Sequence, residues 1–174
     1  MVSIPDSVLA NPAQYNGLCY RISAPRYANV RDALSGAGAL RVAGRYHERG
    51  AFRLVYTATT FEVAQAEYFH TVSRAGFVIA DLLPVTIFAI TAQLSKVLDL
   101  TEDTVLTELG LTSDLLLGDW VLPQALGQAA KDAGYEAILA PSTHGGVNLN
   151  IFVENLLPTS TFEVRNPDKL TLPV

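Results

Sequence analysis

Between Gly44 and Glu67 the sequence sets a group of arginines beside a carboxylate. The segment opens as Gly-Arg-Tyr-His-Glu-Arg-Gly (44–50), runs on through Leu54, Val55 and Tyr56, and ends in a helical pattern that carries Glu67. Arg45, Arg49 and Arg53 crowd into this stretch of a chain whose 12 basic and 17 acidic side chains leave a net charge of −5. Guanidinium groups hold phosphate-type anions through charge-assisted, often bidentate hydrogen bonds. A nearby carboxylate stabilises positive charge developing on carbon, chiefly in the transition state. The pairing suits an enzyme that holds a phosphorylated substrate while its carbon becomes cationic. Taken singly, each feature has a plainer explanation, since loop arginines are usually solvated or ion-paired and helical glutamates usually face water.

Other chemistries are disfavoured by what the sequence lacks. It contains no G-x-x-x-x-G-K-[ST], no G-x-G-x-x-G after a strand, no H-E-x-x-H and no G-x-S-x-G. His47, His70 and His144 are the whole histidine inventory and sit on separate expected elements without ligand-like spacing, so no metal site is expected. Ser142 and His144 stand two apart in a loop with no elbow around the serine, which disfavours a nucleophile–base pair and leaves Ser142 as a turn residue on its own account. Cys19 is the only cysteine, so an intramolecular disulfide is impossible and a thiolate zinc finger is ruled out. The acidic balance argues against a general nucleic-acid binder.

The elements that must position these residues follow from patterning. Residues 1–17 are rich in turn formers (Pro5, Asn11, Pro12, Asn16, Gly17) and are expected to form a surface arm. Leu18 to Ile22 reads as a strand carrying Arg21, and Arg53 to Ala58 as a strand carrying Tyr56. Thr59 and Glu62 have capping-box spacing, which predicts a helix from Thr60 to about Thr71 with Glu67 near its inward side. The apolar window Phe77 to Ile90 is interrupted by Asp81 and Pro84, too short to span a membrane, and expected as buried strand. Pro84–Ile90 and Lys96–Leu100 suggest a hairpin across Thr91–Ser95, and Thr101 or Thr104 a short helix ending near Gly110. Pro123 and Gly134 bracket a helix. Tyr135–Ala140 and Val147–Val153 read as strands, with Ser142 in the loop between them, and Thr161–Val164 as an edge strand. The amino terminus lacks a basic start and apolar core, so a cytoplasmic location is expected. The organisation expected is an arm (1–17), one compact α+β domain (18–165) of twisted, mostly antiparallel sheets with short helices, and a tail (166–174).

The order Arg21, Arg45, Tyr56, Glu67, Ser142 resembles the RES domain family, named for an arginine, a glutamate and a serine. The matching pieces are Tyr20-Arg21, Gly44-Arg45-Tyr46, Val55-Tyr56-Thr57-Ala58, Ala66-Glu67, Pro141-Ser142 and Asn148 to Asn155, spread over about residues 18 to 157. The family loop often reads Gly-Gly-Arg-Trp-Asn, where this chain has Ala43, Tyr46 and His47 at the first, fourth and fifth places. The resemblance implies an ADP-ribosyltransferase-like fold and a toxin that cleaves the nicotinamide–ribose bond of NAD. It leaves the acceptor open between water, inorganic phosphate and a protein side chain. NAD is then substrate rather than cofactor, no metal is needed, and the expected partner is a small helix-turn-helix (Xre-like) antitoxin; a homodimer is compatible. Arg21 and Arg45 are expected on the pyrophosphate, Tyr46 or Tyr56 stacked on nicotinamide or adenine, Glu67 against the cationic ribose, and Ser142 and Asn150 positioning the substrate. A catalytically silent NAD- or partner-binding module is the alternative.

Overall fold

The computed structural model describes residues 2–166 and the backbone of 170–171. In chain order the elements are α1 (Asp6–Ala10), β1 (Ala13–Ser23), α2 (Val30–Ser35), β2 (Leu54–Ala58), α3 (Phe61–Arg74), β3 (Thr86–Asp99), α4 (Asp103–Glu108), α5 (Ser113–Leu117), α6 (Val121–Asp132), β4 (Ala137–Pro141), β5 (Val147–Phe152), β6 (Thr161–Val164) and β7 (Leu170–Thr171).

Two long strands carry the sheet. β1 and β3 pair antiparallel from Ala13↔Val97 to Ser23↔Thr86. The sheet continues from β1 through β2, β5 and β4 and returns to β3, so its two ends meet. All these pairings are antiparallel except β3–β4, which is parallel. The result is one barrel-like closed sheet rather than separate sheets, within the α+β class expected. β6 and β7 add to β3 beyond the closure.

Alternation along the strands sorts the core. Cys19, Val55, Phe88, Ile90, Leu139, Leu149 and Ile151 come from all five closing strands and form one buried cluster inside the sheet, covered by Ala33 of α2. The opposite faces carry two clusters. One sets Leu54, Ile138, Ala140 and Phe152 against α5 and α6; the other sets Ile22, Ala58 and Ile87 against Val63 and Ala64 of α3. Burying a Leu- or Ile-sized side chain contributes about 1.5–3 kcal/mol, so these faces hold the helices, most of which are too short to be stable alone.

Several sequence expectations are corrected. Within the stretch expected as a surface arm, Asp6–Ala10 form α1 and residues 13–17 the first half of β1, pairing with β3. The hairpin at 91–95 is absent: β3 runs straight through, with Ala92 and Leu94 buried while Gln93 and Ser95 face out. The polar residues there mark the outer side of a continuous strand, and no Gly, Pro, Asn or Asp offers a reversal. The helix cap is Thr60, whose hydroxyl accepts from Val63 N, not Thr59. Phe77 and Val78, expected as buried strand, are 59% and 63% exposed, and the strand starts only at Thr86. The expected tail starts too early, because the Asn166 amide bonds Ala89 N and Ile87 O at the edge of β3. Residues 167–169 and 172–174 of that tail lie outside the described residues.

Candidate active site

The loop between β4 and β5 brings a serine to the glutamate of α3. Val63 and Ala64 anchor α3 on the sheet, and Glu67 follows on the adjoining flank of the helix. Its Oε1 accepts from Ser142 Oγ at 2.7 Å and from Asn148 Nδ2 at 2.9 Å. Ser142 is buried, and its Oγ also accepts from the backbone N–H of His144 at 3.0 Å. The loop is drawn tight by Ser142 N donating to Gly146 O. Gly145 and Gly146 have φ of +80° and +73°, the left-handed region that favours glycine. A Cβ on Gly146 would lie 2.6 Å from Val63 Cγ2, so the loop rests directly on α3. The Ser142 hydroxyl is thus committed to Glu67, and its contact with His144 is through backbone rather than imidazole.

Neutral donors orient the Glu67 carboxylate without cancelling its charge. Oε2 takes neither of those bonds and lies 3.9 Å from His144 Nε2, with the Glu67 side chain 33% exposed. One oxygen is therefore fixed and the other is open. Asn148 was not among the site residues read from sequence, although it stands two before Asn150 on the same strand, and a period of two puts both on one face.

Tyr56 and Asn150 are neighbours across β2 and β5, directly opposite in register. Asn150 is 1% exposed and neither amide atom has a partner. The Tyr56 hydroxyl accepts from Tyr46 N at 3.0 Å and lies 2.9 Å from His47 Nδ1. His47 Nε2 faces the carbonyls of Ala39 and Val42 at 3.1 and 2.9 Å. Two acceptors require a proton on Nε2, and in the neutral ring Nδ1 then accepts from the Tyr56 hydroxyl. Burial pushes the His47 pKa down, opposed by its bonds to Val42 and Ala39, and pushes Tyr56 up. His47 thereby ties the 39–47 loop to β2. Gln124 of α6 holds the same loop through Gly44 O and His47 O. Gly127 lets the helix approach, since a Cβ there would lie 1.8 Å from Tyr46 O.

The remaining expected residues are placed apart. Tyr46 is 2% exposed and packed in the core, so its ring has no free face for stacking, and burial raises its pKa. Arg45 Nη1 donates to the carbonyls of Leu116 and Gly118, closing the C-terminal end of α5. Arg21 alternates with Ile22 and so takes the inner side of the sheet, shared with Cys19 and its partner Phe88. Its Nη1 donates to Tyr56 O at 3.1 Å, while its buried Nε has no partner. Burial disfavours its charge, which lowers its pKa. Arg49 and Arg53 are exposed. Glu67 and Ser142 are hydrogen-bonded, and Tyr56 and Asn150 are cross-strand neighbours with no side-chain bond between them; neither arginine makes a hydrogen bond or ion pair to Glu67 among the described residues.

A closed α+β sheet with an oriented, uncancelled carboxylate defines a class of enzyme-like domain, and sequence comparison gives its family. The RES domain profile matches residues 18–171, and the chain belongs to that family. The NAD(+) phosphorylase MbcT of Mycobacterium tuberculosis is 31% identical over 139 residues, which cover 78% of this chain and 72% of MbcT. A probable NAD(+) phosphorylase of the same organism, Rv3189, is 35% identical over 139 residues, covering 76% of this chain and 66% of that protein. A chain in the crystal structure of the M. tuberculosis MbcT–MbcA toxin–antitoxin complex matches with a TM-score of 0.76 at 26% identity, over 98% of this chain and 94% of that one.

Proposed function

We propose that this protein is an NAD-consuming toxin that breaks the nicotinamide–ribose bond and passes ADP-ribose to inorganic phosphate, with water as the lesser acceptor. The observation that carries this reading is the Glu67 carboxylate, held on Oε1 by two neutral donors and open on Oε2. Departure of neutral nicotinamide leaves an oxocarbenium-like ribose, and a preoriented anion is worth most when that charge appears. The names of the similar mycobacterial proteins support phosphate as acceptor.

Other residues take supporting parts in this scheme. Arg21 acts from the inner side of the sheet, where its desolvated guanidinium donates to Tyr56 O and so positions the strand that carries Tyr56. Arg45 keeps the N–H groups not spent on α5. Tyr56, unlike the buried Tyr46, keeps some exposure, and Asn150 offers an unpaired amide in register with it. The fold is ADP-ribosyltransferase-like on this reading, the site of action is the cytoplasm, and a helix-turn-helix antitoxin is the controlling partner.

The test is nicotinamide release from NAD by purified protein, with and without phosphate. Release stimulated by phosphate and lost in Glu67→Gln is expected. Equal turnover by parent and variant would remove Glu67 from the mechanism.

A further inference from the structure

An anionic acceptor meets a charge problem at Glu67. The carboxylate that stabilises a cationic ribose repels a phosphate dianion approaching the same carbon, and at a few ångströms in a partly desolvated site that repulsion amounts to several kcal/mol. Ser142 and Asn148 are neutral, Arg45 is turned to the α5 carbonyls, and Arg21 lies on the inner side of the sheet. Among the described residues, His144 is the one basic side chain in ionic range of the Glu67 carboxylate, with Nε2 3.9 Å from Oε2.

That separation is too long for a hydrogen bond, so Nε2 and Oε2 are both left free to bind a third group. His144 is also held in place. Its backbone N–H is fixed by Ser142 Oγ, which donates to Glu67 in turn, so backbone and side chain both lead back to one carboxylate. Behind it His70, three residues after Glu67 on α3, sets its ring 4.7 Å from the His144 ring at 57°. Residues three apart lie on one flank of a helix, so α3 supplies both the carboxylate and the support for the imidazole facing it.

We propose that His144, supported by His70, forms the acceptor subsite, binding the incoming inorganic phosphate between its Nε2 and Glu67 Oε2. This rests on the NAD phosphorylase reading above. Monohydrogen phosphate matches the pair because it has an acceptor oxygen for Nε2–H and a hydroxyl for Oε2. In the reaction the bond from ribose C1′ to the nicotinamide nitrogen breaks and its electron pair leaves with neutral nicotinamide. A free phosphate oxygen supplies the pair for the new C1′–O bond, and the phosphate keeps its proton. His144 moves no proton; its Nε2–H binds the anion and holds it in place against the repulsion from Glu67.

The experiment compares parent, His144→Ala and His70→Ala. In His144→Ala the phosphate concentration for half-maximal NAD consumption should rise about tenfold, the size of a lost charge-assisted bond, while KM for NAD stays within about twofold. The product should shift from ADP-ribose 1″-phosphate towards ADP-ribose. His70→Ala should move the same quantities in the same direction by less, about threefold. An unchanged phosphate dependence, or both KM values moving together, overturns the proposal. A second measurement stands apart from turnover: titration of the parent with inorganic phosphate, followed by NMR of the histidine rings. A saturable shift of the His144 resonances is expected, and its absence overturns the subsite. Lack of NAD consumption by the parent would instead overturn the activity, with the titration still deciding the anion site.

Discussion

Glu67 and Glu136 are two carboxylates with opposite uses, and the difference lies in how many of their lone pairs are satisfied. Glu136 is fully buried immediately before β4. Its Oε2 accepts from Ser95 N, Ser95 Oγ and Lys96 N, and its Oε1 from Leu157 N and Ser160 Oγ. Five donors on two oxygens leave nothing to offer a ligand; the group clasps β3, β4 and the 157–160 turn. Burial alone would raise its pKa, but the bonds from Ser160, Leu157, Ser95 and Lys96 outweigh it and hold the carboxyl below its ordinary value. Glu67 has donors on Oε1 alone and remains a third exposed. Saturation from both sides builds structure, whereas a one-sided hold leaves an oxygen able to meet a ligand.

Exchanging each carboxylate for its amide should separate the two roles most sharply. Glu67→Gln keeps the shape and loses the charge, and NAD consumption should fall by about 10²–10³-fold while the thermal midpoint barely moves. A large loss of stability instead would make Glu67 a second structural clasp. Glu136→Gln sets an NH₂ against backbone and hydroxyl donors, and stability in urea should drop by about 2–4 kcal/mol. Soluble, correctly folded enzyme from that variant should keep its turnover. A variant as stable as the parent would show that the Glu136 bonds contribute nothing net.

Acid should expose the same contrast more gently. The folded-state pKa of Glu136 lies below its unfolded value, so its stabilisation is present above the unfolded carboxylate pKa and is lost as pH falls through the folded one. Urea midpoints measured from about pH 7 to pH 3 should fall more steeply in the parent than in Glu136→Gln. Parallel curves would assign the acid sensitivity to other groups. A smaller effect than that of Glu67→Gln is expected from Ser142→Ala, which removes one of the two donors to Glu67 Oε1. A net bond of about 1–1.5 kcal/mol corresponds to roughly a five- to tenfold loss of NAD turnover. A loss as large as that of Glu67→Gln would give the serine a more direct part in the chemistry.

Legibility from sequence followed how local each signal was. The strands 54–58, 147–152 and 161–164 and the helix ending before Gly134 lay close to where patterning put them, because alternation, caps and glycine turns act over a few residues. β3 was misread because a polar outer face and a polar turn look alike until the partner strand is known. The His47 departure from the family loop also made sense only in three dimensions. Its two ring nitrogens join Ala39, Val42 and Tyr56, contacts that a linear reading does not connect.

The sequence by itself determined the α+β class, the order Arg21, Arg45, Tyr56, Glu67, Ser142 and the resemblance that led to the RES family. Tertiary structure alone decided which of these meet. Closure of the sheet put Arg21 and Glu67 on different sides of it, and packing against α6 sealed Tyr46. The β4–β5 loop delivered Ser142 and His144, and the start of β5 delivered Asn148, to one carboxylate 75 to 81 residues away along the chain. Separations of that length are set by how the strands pair and close, and no local pattern encodes them.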